Sequence, residues 1–81
     1  MTLKLSVVKT SGGNYLVNGY YKSPDIRVPD FPEVISQMCK YASKFPEIFE
    51  QEPVLRDLSK SEETAIENFR NLVLEKRVPT G

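Results

Sequence analysis

Residues 19–34 read GYYKSPDIRVPDFPEV, and the fold turns on how this stretch is parsed. Before it the chain alternates like a strand; after it the apolar residues recur at helical spacing. Pro24 and Pro29 bracket the segment 25–28. Proline has no N–H to give to a ladder, so this segment is either an edge strand or a strap across the preceding strands. Asp30 is then a natural N-cap, Pro32 is tolerated in a first helical turn, and Glu33 completes an Asp-x-x-Glu variant of the capping box.

Upstream, LKLSVVK and NYLVNGYY alternate in the period-two manner of strands, at about residues 3–9 and 15–21. The intervening TSGGN tolerates positive φ, which favours a β-hairpin with a loop of about three to five residues. Gly12 and Gly13 do not read as a phosphate cradle, because no lysine-plus-hydroxyl follows them.

Downstream, the first helix runs over about residues 31–45. Phe31, Val34, Ile35, Met38, Ala42 and Phe45 fall on one side of it, with Cys39 and Tyr41 at the borders of that stripe. Pro46 disfavours helix at Phe45 and ends the element. PEIFEQEPVLRDL is broken by Pro46 and Pro53 and reads as a short helix or two tight turns. A Ser59-x-x-Glu62 capping box then opens a helix at about residues 60–77, which stops before Pro79. Its apolar arc holds Ala65, Ile66, Phe69, Leu72 and Val73, and Leu74 falls on the polar side. The expected fold is α+β: an N-terminal hairpin and a short third edge segment, packed against two main helices and a broken helical connector.

Eighty-one residues allow one modest core and therefore one domain spanning residues 1–81. The 40% hydrophobic and 27% charged composition is that of a folded chain. Net charge is zero, which argues against coating nucleic acid or membrane by charge alone. The balance is uneven, however. Residues 1–30 carry four cations and two acids, whereas residues 45–67 carry seven acids and two cations. The acidic stretch suits a partner with a basic surface.

One cysteine, Cys39, excludes an internal disulfide, and the absence of histidine excludes the usual Cys/His zinc frameworks. Neither a signal peptide nor a membrane span is legible in MTLKLSVVKTSGG, so a reducing cytoplasm is the expected location. Without histidine the commonest general base is missing, and no Ser-His-Asp or Cys-His arrangement can be assembled within the chain. Cys39 sits mid-helix and reads as a small hydrophobe at a boundary. No catalytic, cofactor-binding or metal-ligating residue is expected, and the chain reads as a non-enzyme.

The words GGNYLV and VPDFPEV resemble the N-terminal half of HicB-type antitoxins, where a Gly-aromatic strand leads to a Val-Pro-Asp-x-Pro-Gly turn. Here Glu33 stands at the glycine of that turn and the spacer NGYYKSPDI is longer. The shared words span about a third of the chain, and no family is assigned on them.

Two binding readings remain. In the first, the chain is a regulator, inhibitor or accessory subunit that binds another protein, or a second copy of itself, and contributes no chemistry. Its contact residues are Tyr21, Lys22, Ile26 and Arg27 in the arm, Glu47, Glu50 and Glu52 in the acidic stretch, and Leu74 on the last helix. In the second, the hairpin binds single-stranded nucleic acid, with Tyr15, Tyr20 and Tyr21 stacking on bases beside Lys4, Lys9, Lys22 and Arg27. An enzyme subunit that lends one or two residues to a shared site is the third class.

Overall fold

The computed structural model describes residues 3–20 and 24–77. The chain forms an α+β fold in which a four-stranded mixed sheet is covered on one face by two helices and a short 3-10 turn. Strand β1 (Leu3–Lys9) and strand β2 (Tyr15–Tyr20) make the expected antiparallel hairpin. Its loop is closed by the Thr10 amide donating to the Asn14 carbonyl at 2.8 Å and the Gly13 amide donating to that of Thr10 at 3.1 Å. Gly13 sits at φ 89°, a left-handed conformation that a residue without Cβ adopts freely.

Segment 26–28 is a true strand, β3 (Ile26–Val28), antiparallel to β2 at one edge of the sheet. The Asp30 carboxylate accepts from the Glu33 amide at 3.1 Å and so caps helix α1 (Phe31–Lys44) as the sequence requires. The 3-10 turn Pro46–Phe49 follows.

The connector then departs from expectation. Val54–Arg56 is a fourth strand, β4, lying parallel to β1 with Ser6, Val7 and Val8 opposite Val54, Leu55 and Arg56. A parallel partner is reached only by a crossover, here through α1, and three residues between Pro53 and the left-handed Asp57 carry no period of their own. The sheet order is β3-β2-β1-β4. Helix α2 (Lys60–Arg77) completes the chain; its Ser59 hydroxyl accepts from the Glu62 amide at 3.3 Å, and the Glu62 carboxylate accepts from the Ser59 amide at 2.8 Å.

The core is one cluster: Leu5 and Val7 from β1, Tyr15 and Val17 from β2, Val28 from β3, Val34, Met38 and Tyr41 from α1, Ile48 and Phe49 from the turn, and Ile66 from α2. Each fully buried aliphatic or aromatic side chain contributes about 1.5–3 kcal/mol.

Both helices depart from the sequence reading at the margins of their apolar faces. In α1 the buried residues are Val34, Met38 and Tyr41, with Phe31, Ile35 and Ala42 packed beside them, while Phe45, the C-cap, is 37% exposed. Tyr41 fits against Gly19, where a Cβ would lie 3.3 Å from both the Tyr41 ring and the Ile48 Cδ1. In α2 Leu72 is 59% exposed, whereas Leu74, expected on the polar face, is half-buried and packs on the core. Arg70 donates from Nε to the Phe49 carbonyl at 2.7 Å and from Nη2 to that of Glu50 at 3.3 Å, which ties α2 to the 3-10 turn.

Candidate protein interface

Alternation along a strand divides the sheet into two faces. Leu5, Val7, Tyr15 and Val17 point into the core. Ser6, Val8, Leu16 and Asn18 therefore occupy the opposite face, and none of them is fully buried. Registers continue that face onto both edge strands: Arg27 pairs with Leu16, Leu16 with Val8, and Val8 with Arg56. One row thus crosses all four strands in the order Arg27, Leu16, Val8, Arg56. Three strand spacings separate its ends, or about 14 Å between the arginine Cα positions.

The two arginines are exposed, and the Leu16–Val8 pair between them is half-buried by its neighbours. Arg27 donates from Nη1 to the Asn14 side-chain oxygen at 3.5 Å, and Thr10 donates its hydroxyl to the same oxygen at 3.0 Å. The adjoining row holds Asn18, Ser6 and Val54. Asp25, at the β3 end of that row, accepts from the Asn18 amide nitrogen at 3.1 Å. Among the described residues, neither Arg27 nor Arg56 is paired with a carboxylate. The face is therefore an apolar strip of Val8, Leu16 and Val54 with a cation at each margin.

The expected contact residues scatter across this frame. Tyr21 and Lys22 lie outside the described residues. Ile26 is 40% exposed, but it pairs with Val17 and so belongs to the helix-covered side, while its neighbour Arg27 belongs to the open one. The arm is thus divided between two faces. Glu47, Glu50 and Glu52 are exposed on the turn and the loop leading to β4, at the sheet edge opposite Arg27. Sequence reasoning overlooked Arg56 and Val54, which join the face only through β4. Val8 and Leu16 were legible as the non-core partners in the hairpin.

Tyr15, expected among the exposed stacking residues, is buried on the helix side. Its hydroxyl donates to the Glu62 carboxylate, its ring tilts against Phe31 with centroids 5.8 Å apart, and the Lys9 ammonium lies 5.7 Å from its centroid. The bond to Glu62, reinforced by burial, pushes the Tyr15 pKa up to about 12. The same bond, with the Ser59 amide, lowers that of Glu62. Tyr15 and Lys9 are therefore committed to fastening α2 onto the hairpin.

Elsewhere, a groove of about 420 Å³ runs between α1 and α2, lined by Ala42, Pro46, Phe69, Leu72 and Val73, with Cys39 and Lys76 at its rim. Among the described residues, no three acidic or thiol groups converge as metal ligands, and no helix is long and apolar enough to cross a membrane. Comparison with protein-family models, curated proteins and solved structures finds no match to this chain. Function has to be read from the geometry.

Proposed function

We propose that this chain is a non-enzymatic binding protein, a regulator, inhibitor or accessory subunit in the cytoplasm, which docks a partner protein on the open face of its sheet. The observation that carries this reading is the Arg27–Leu16–Val8–Arg56 row. A sheet face left to solvent is ordinarily polar, yet here its centre is aliphatic and its margins are guanidinium groups that meet no carboxylate among the described residues. Apolar centre and charged rim is the anatomy of a protein interface, and arginine is among the residues that dominate binding energy. Nucleic-acid binding finds less support. Its stacking platform loses Tyr15 to the interior, and base stacking needs exposed aromatic rings.

Photo-crosslinking in the native cell tests the reading. A photoreactive phenylalanine analogue replaces Leu16 on the open face in one variant and Leu72 at the α1–α2 groove in another. A discrete protein adduct at position 16, resistant to nuclease, is expected. An adduct at position 72 alone moves the function to the helical groove, and a nuclease-sensitive adduct at position 16 makes the open face a nucleic-acid surface.

A further inference from the structure

We infer that the segment this face receives is an amphipathic α-helix of the partner, carrying acidic side chains on both flanks of its apolar stripe; the inference rests on the open-face reading above.

Width argues for a helix. The arginine Cα positions are about 14 Å apart across the strands, and a helix with its side chains measures about 10–12 Å. A helix laid along β1 and β2 therefore fills the trough, with Leu16, Val8 and Val54 beneath its stripe and one arginine beside each flank. An extended peptide would add to an edge strand, where main-chain hydrogen bonds are available, and would leave the central strip bare. The opposite side of the same sheet already shows the packing, since α1 lies over β2 there, with Tyr41 against Gly19.

Charge selects the flanks. Arg27 and Arg56 stand at opposite margins of one row, and Asp25, beside Asn18, accepts from its amide nitrogen at 3.1 Å. Two guanidinium groups without carboxylates on either side of an apolar floor are complementary to glutamates at both edges of a helical stripe, and repel lysines there. Glu47, Glu50 and Glu52 of the acidic stretch sit on the 3-10 turn and the loop before β4 and not on this face.

Two synthetic helical peptides with the same leucine stripe test this, one flanked by glutamate and one by lysine. Each is titrated into the isotopically labelled full chain and followed by amide chemical shifts. The glutamate peptide is expected to shift Val8, Leu16 and Val54, and the lysine peptide to bind at least about tenfold more weakly. The double variant Arg27→Glu, Arg56→Glu changes only exposed side chains and should reverse that preference while keeping its circular dichroism. Equal binding of both peptides, no binding of either, or shifts confined to the α1–α2 groove would overturn the inference. Crosslinking separates this from the broader reading. If the double variant still forms the position-16 protein adduct at full yield, the open face stands and the acid-flanked helix falls; if no such adduct forms in the wild type, both fall.

Discussion

The hydroxyl of Tyr15, in the second strand, donates a hydrogen bond to the carboxylate of Glu62, in the first turn of the last helix, 47 positions away. The same carboxylate accepts from the Ser59 amide, so one side chain both caps α2 and ties it to the hairpin. Ile66 is the α2 residue in full burial among those described, with Phe69, Val73 and Leu74 packed beside the core, and this polar tie adds to their docking.

Tyr15→Phe keeps the ring and removes the tie. Hydrogen bonds to charged groups contribute about 1.5–3 kcal/mol, and the variant should lose about 1–2 kcal/mol because Ser59 still holds Glu62. Thermal unfolding followed by circular dichroism checks this, at roughly 4–8 °C per kcal/mol for a chain of this size.

The pH dependence follows from the same pair. Tyr15 titrates near 10 when unfolded and about 12 when folded, so its contribution is whole below pH 10 and is lost as pH rises through 12. Glu62 is shifted down from 4.5, so its contribution is whole above about pH 4.5 and is lost as pH falls through its folded value. The stability difference between wild type and Tyr15→Phe should be flat from about pH 5 to 9.5 and narrow at both extremes. A difference that grew above pH 10 would contradict the assignment.

Gly19→Ala tests the packing of α1 on β2. The added methyl would sit 3.3 Å from Ile48 Cδ1 and from two ring carbons of Tyr41, all in the core. Overpacking of this kind costs about 1–3 kcal/mol, and urea unfolding should place the variant near the lower end.

Leu72→Gln and Leu74→Gln form a matched pair, since glutamine and leucine have similar helix propensity. Leu72 stands in solvent, so its replacement should stay within about 0.5 kcal/mol. Leu74 packs on the core, and its replacement should cost about 1 kcal/mol. The opposite order in urea unfolding would mean that α2 is turned as its sequence period suggests.

Asp57 ends β4 at φ 60°, a left-handed conformation that costs a residue with a side chain roughly 1–2 kcal/mol. Asp57→Gly should stabilise the chain by about 0.5 kcal/mol after its larger unfolded-state entropy is counted, and Asp57→Val should destabilise it by about 1 kcal/mol or more. Melting temperatures of the two variants decide the sign.

The hairpin, the Asp30 cap and both helices were legible because each is written in local signals: alternation, a Gly-Gly loop, capping boxes. β4 was not, since Val54–Arg56 becomes a strand only beside β1. That omission hid half of the candidate face, because Arg56 is the far end of the row that Arg27 begins. The burial of Tyr41 and Leu74 escaped for a related reason. Tyr41 fits the space beside Gly19, and Arg70 on α2 reaches the carbonyls of Phe49 and Glu50, contacts that no helical period encodes.

The central strand also implies a folding order. On one side of β1, Val8 meets Leu16 across a loop of a few residues; on the other, Ser6 meets Val54, 48 positions along the chain. Closing the longer loop costs more chain entropy, and contacts of large sequence separation form late. The hairpin is therefore expected to form early and β4 to join late, and native-state hydrogen exchange should find β4 amides exchanging before those of β2. Arg56 rides on that strand, so on this order the two margins of the open face would belong to different cooperative units, and a bound helix spanning them would staple the later unit to the earlier.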